Sequence, residues 1–158
     1  MADTVPALLQ SAAFYNAAAK SLYFAANAHF LKAKATGVSI TQDSGDFNEM
    51  MGGFMGSIVL HAFAIELALK GLCTTRSIAY PKTHDLARLF AQLPKEDRAT
   101  AIVGYEQKDR GTKGGLEAVL KANANAFKQW RYQHEYKPQA IASEQLDIAF
   151  AQLYELRK

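Results

Sequence analysis

The stretch from Asn48 to Cys73 constrains this chain more than any other. Apolar side chains recur at Met51, Met55, Ile58, Ala62, Ile65, Leu69 and Leu72, in steps of four and three that put them on one face of an α-helix. Phe54 and Phe63 extend that face until much of the circumference is apolar. Such a helix needs neighbours on several sides, which places it at the centre of a bundle. Gly52, Gly53 and Gly56 each weaken its first turns by up to about 1 kcal/mol relative to alanine. Close approach by a neighbouring helix or a frayed start would explain them equally.

Other helices surround this one in sequence. A first helix, capped by Asp3 or Thr4 and running to about Ala35, carries a seam of Leu8, Ala12, Tyr15, Ala19, Leu22, Ala26, His29 and Ala33. Leu9, Tyr23 and Phe30 widen it. Thr36 to Phe47 is polar and turn-rich and reads as a loop. A short helix follows a Thr83 cap, with Leu86, Leu89, Phe90 and Leu93 on one side. Another runs from Lys95 to Lys108, and a long one carries Leu116, Leu120, Asn123, Phe127, Trp130 and His134. Ser143 caps the last, with Leu146, Ala149, Phe150, Leu153 and Leu156. Sustained period-two alternation is absent, so the expected fold is an all-α, up-and-down bundle of four to six helices, one domain over residues 1–158.

Composition narrows the function classes. Apolar residues make up 49% of the 158, too many for a disordered chain. A net charge of +3 is weaker than the stripe of a dedicated duplex-DNA binder, yet permits a polyanionic partner. Cys73 is the single cysteine, excluding an internal disulfide or cysteine-cluster zinc site. The first lysine is Lys20, so no basic leader is read, and the run Ile58 to Leu72 is interrupted by His61, Glu66 and Lys70. A cytoplasmic protein without membrane association is expected. The four histidines show no metal-ligand spacing, and neither metal nor cofactor is expected.

Several residues stand out chemically. Glu66 sits among apolar neighbours, where an unpaired carboxylate is costly, so it requires a cation or a wet face. Arg131 is the natural partner, with Glu135 competing for it one turn on, as an internal ion pair fixing bundle register. His84, in Lys82-Thr-His-Asp-Leu86, reads as a helix-start residue bonded to backbone or carboxylate before it reads as a base. The segment Trp130-Arg-Tyr-Gln-His-Glu-Tyr136 puts Arg131 and His134 on one helix face. Arginine can grip a phosphate while histidine moves a proton, and Tyr132 can stack on a base. Arg110 and Lys113 lie in a glycine-rich loop before a helix start, a place receptive to phosphate. Its spacing is not that of a nucleoside-triphosphate loop, and a solvated connector is the plainer reading. Ser57 and His61 are one turn apart with no third group in sequence.

Three pieces together resemble the HEPN domain family: Ala64-Ile-Glu-Leu-Ala-Leu-Lys-Gly-Leu72, Thr83-His-Asp-Leu86 and Phe127-Lys-Gln-Trp-Arg-Tyr132. The resemblance covers about Met50 to Tyr136. It implies a helical bundle, commonly a homodimer, whose relatives are metal-independent ribonucleases of toxin–antitoxin and phage-defence systems, or inactive members that bind nucleotides, RNA or proteins. Catalytic members carry Arg, four to six residues, then His. Here Arg131 and His134 have two residues between them, and Trp130, Arg131, Tyr132 and Glu135 stand where that motif is expected. The expectation is a non-catalytic module binding RNA, a nucleotide or a partner protein, with His84, Tyr132, Arg131 and His134 in its cleft. The alternatives are an endoribonuclease using Arg131 and His134, and a purely structural dimeric scaffold.

Overall fold

The computed structural model describes residues 4–37, 45–109, 115–124, 126 and 143–158. Among them are six helices and no strand: α1 (Thr4–Thr36), α2 (Gly45–Thr75), α3 (Leu86–Phe90), α4 (Lys95–Lys108), α5 (Gly115–Ala122) and α6 (Ser143–Glu155). The all-α bundle is as the periodicity requires.

α2 is the central element. It packs against α1, α6 and α3, and buries Ile58, Ala62, Ile65, Leu69 and Leu72. Burying each larger aliphatic side chain contributes roughly 1.5–3 kcal/mol. Its most apolar window has a mean hydropathy of 1.6, enough in length and composition to cross a membrane, but half of that window is buried inside the bundle. α2 begins at Gly45 rather than Asn48, so the expected loop is shorter at its far end.

The glycines of α2 divide. A Cβ on Gly53 would lie 2.9 Å from Ala26 Cβ and 3.2 Å from the Leu22 carbonyl, and one on Gly56 would meet Leu22 Cδ1 at 3.0 Å. Gly53 and Gly56 therefore let α1 approach closely, whereas Gly52 faces open space. The buried line of α1 is correspondingly small: Ala12, Ala19 and Ala26. Tyr15 meets Phe63 edge-on at 4.7 Å, and Tyr23 meets Phe54 at 5.7 Å. Phe30, assigned to the apolar seam from sequence, is exposed instead, and Leu22 lies at the edge of the contact, partly exposed with its Cδ1 over Gly56, because the alanine line fills the centre.

The α2–α3 connection is fixed by local hydrogen bonds. Asp85, not Thr83, caps α3, its Oδ1 accepting from Arg88 N at 2.9 Å. Thr83 Oγ1 instead accepts from Asp85 N at 3.1 Å. α4 spans the expected Lys95–Lys108 and starts after Pro94. Gly115, with φ +61°, opens α5. α5 turns at Asn123–Ala124 instead of continuing as one long helix through that point. Ser143 begins α6, but its hydroxyl reaches across the bundle to α2.

Candidate functional site

Two polar clusters sit on α2 within an otherwise apolar core. In the first, the Glu66 side chain is 5% exposed. Its Oε1 accepts from Lys70 Nζ at 2.6 Å, one helical turn on, in the order that favours a Glu–Lys pair. His84 Nδ1 lies 3.1 and 3.0 Å from the two carboxylate oxygens. An ionised carboxylate only accepts, so His84 Nδ1 carries the proton of that contact. The tight turn at Pro81–Asp85, closed by Thr83 N donating to Pro81 O at 2.9 Å, sets the imidazole over the carboxylate. Half of the His84 side chain remains exposed.

Ala62, Phe63, Leu86, Asn123 and Ala126 complete a small cleft around this pair. Asn123 Nδ2 donates to Val119 O at 2.8 Å, while its Oδ1 is buried without a partner among the described residues. The cleft thus presents an oriented imidazole, a cation–carboxylate pair and an unmet acceptor.

The second cluster lies between α1, α2 and α6. Ser57 Oγ is 2.8 Å from Ser143 Oγ and donates to Phe54 O at 2.9 Å. Ser143 Oγ is 3.0 Å from His61 Nδ1. All three contacts are met at once only if protons run from His61 Nδ1 to Ser143, from Ser143 to Ser57, and from Ser57 to Phe54 O. His61 Nε2 is then a bare lone pair, buried and unpartnered among the described residues. Asp147 Oδ1 is 3.9 Å from it, too far for a hydrogen bond. Asp147 itself is held by Lys20 Nζ at 3.0 Å and Asn16 Nδ2 at 3.1 Å. Burial lowers the His61 pKa to about 4, against the opposing pull of Asp147.

This arrangement is not a hydrolytic triad. The imidazole offers an N–H, not a lone pair, to Ser143, and its low pKa makes it a weak base at neutral pH. Cys73 is likewise buried, its thiol pKa raised by desolvation, as a small core residue.

Of the residues singled out from sequence, Glu66 and His84 are brought together, 18 positions apart. The partners of Glu66 among the described residues are Lys70 and His84; Arg131, the expected partner, lies outside them. Arg110, Lys113, Arg131, Tyr132, His134 and Glu135 lie outside the described residues. Sequence reading missed Ser143 as the partner of His61, and the Asp147, Lys20 and Asn16 group beside it, because these residues come from opposite ends of the chain. The sole signal was the Ser57–His61 turn.

The bundle, its polar clusters held on a central apolar helix, defines a small all-α domain with no sheet among the described residues. The HEPN domain family model matches residues 51–145, more than half of the chain, and the chain belongs to that family. No curated protein and no solved structure matches it.

Proposed function

We propose that this chain is a non-catalytic HEPN module that binds RNA or a nucleotide as a homodimer, in a cytoplasmic toxin–antitoxin or phage-defence setting. The observation that carries this reading is the Glu66–His84 pair. A buried carboxylate fixes a half-exposed imidazole at the mouth of a cleft, with Lys70 alongside. A half-exposed imidazole and an ammonium group held this way suit a polar ligand such as a base edge or a phosphate. Ala126 lines the same cleft. In sequence, Arg131, Tyr132 and His134 follow Ala126 by five to eight residues. The two-residue gap between Arg131 and His134 weighs against the alternative, a metal-independent endoribonuclease.

Support for the dimer comes from α1. Phe14, Ala17, Ser21, Phe24, Ala28 and Leu31 are all exposed, and they step three and four along the helix without a charge. That is the spacing of a helix–helix seam. Turned antiparallel on itself about Leu22–Tyr23, it sets Phe24 against Ser21, Ala17 against Ala28 and Phe14 against Leu31. Such a match is what a two-fold contact between identical chains requires.

The test is a labelled mixed-sequence single-stranded RNA incubated with wild type and His134→Ala in EDTA, followed by a shift assay with wild type and His84→Ala. Intact RNA that wild type shifts and His84→Ala shifts at least tenfold more weakly supports the binding module. Cleavage lost in His134→Ala would replace it with the ribonuclease. Neither cleavage nor shift, from a folded protein, would leave protein docking or a scaffold.

A further inference from the structure

His61 lies about 140° round α2 from Glu66 at 100° per residue, so its cluster is independent of the cleft above. A cavity of about 230 Å³ opens there, lined by Lys20, Tyr23, Phe24, His61, Asp147 and Glu144 among others. Three features make it a built site. His61 is 1% exposed and its Nε2 lone pair has no donor, a state that buried polar groups rarely tolerate. The hydroxyl chain through Ser143 and Ser57 holds the ring in that tautomer. Tyr23 and Phe24 supply aromatic walls, Phe24 standing where the cavity borders the α1 face proposed for the dimer.

We propose that this cavity binds a small flat ligand that donates an N–H to His61 Nε2: an aromatic or heteroaromatic amine or amide. Lys20 already neutralises Asp147, so the cavity calls for a donor more than for a charge. A ligand N–H placed between Nε2 and Asp147 Oδ1, 3.9 Å apart, satisfies the orphaned lone pair and can share its second proton with the carboxylate. Entry requires a small outward swing of Asp147, whose side chain is 30% exposed, against its contacts with Lys20 Nζ and Asn16 Nδ2. The aromatic walls select a planar body over an aliphatic one.

Imidazole nitrogen resonances of the full-length protein test this directly, because a bare imidazole nitrogen shifts strongly upfield when it accepts a hydrogen bond. The probes are 2-aminopyridine and 2-methylpyridine, alike in shape, with a donor only in the first, titrated at a pH where both are neutral. The expected result is a saturable upfield shift of His61 Nε2 with 2-aminopyridine, and binding of 2-methylpyridine roughly tenfold weaker or absent, the difference one buried hydrogen bond makes. His61→Phe should abolish the preference between the two probes. A Nε2 resonance already hydrogen-bonded in the free protein, as a trapped water would produce, overturns the proposal. So does equal response to both probes, or no response to either. Neither result touches the RNA shift assay, so the two readings fail separately.

Discussion

His61 is uncharged at neutral pH because the bundle removes it from water without supplying an acceptor for a second N–H. Its pKa falls from 6.5 in the unfolded chain to about 4 when folded. Between those values the unfolded chain binds a proton that the native state refuses. The contribution is therefore full above pH 6.5 and is lost as pH falls towards 4, by up to about 3 kcal/mol. Urea unfolding at pH 7 and pH 4.5 should show wild type losing more stability than His61→Phe; equal losses would mean that the imidazole is not held neutral. At the other cluster, His84→Ala leaves Glu66 paired with Lys70 and should cost about 1 kcal/mol. Glu66→Ala removes the acceptor shared by Lys70 and His84 and should cost more, and thermal unfolding of the two variants ranks them. The need for a cation at Glu66 was legible from its apolar surroundings alone. The part played by Lys70 and His84 was not, because helix spacing shows what faces a neighbour but not which neighbour arrives. Lys70 was in plain view one turn on, whereas His84 depends on the Pro81–Asp85 turn.

Among the elements, α1 and α2 carry the clearest division of labour between similar residues. A Cβ on Gly53 would strike Ala26 and the Leu22 carbonyl, while one on Gly52 would meet nothing within 4 Å. Gly53→Ala should force the helices apart and destabilise by about 1–3 kcal/mol. Gly52→Ala gains helix propensity with no clash and should stabilise by about 0.5–1 kcal/mol. Chemical denaturation of the pair settles it, and matching effects of the same sign would refute the close approach. Element boundaries followed largely from local signals, as at Pro94 before α4. The burial of α1 did not, since nearly every side of that helix is apolar and periodicity cannot choose between Leu22 and Ala26. Close packing at Gly53 chose alanine.

For the whole molecule, the exposed row on α1 bears on assembly. Light scattering should find a dimer for wild type, and Phe14→Asp with Leu31→Asp should give a folded monomer; a variant pair that stays dimeric would place the contact elsewhere. The amino-acid pattern by itself determined an all-α bundle around α2 and the membership signalled by Glu66, His84 and the Trp130–Tyr132 segment, because helix periodicity, caps and short motifs are local properties. Only the tertiary structure decided that Ser143 and Asp147 reach His61 across more than eighty positions. Packing alone leaves that imidazole with an unanswered lone pair, since hydrogen-bond satisfaction inside a bundle depends on which faces meet.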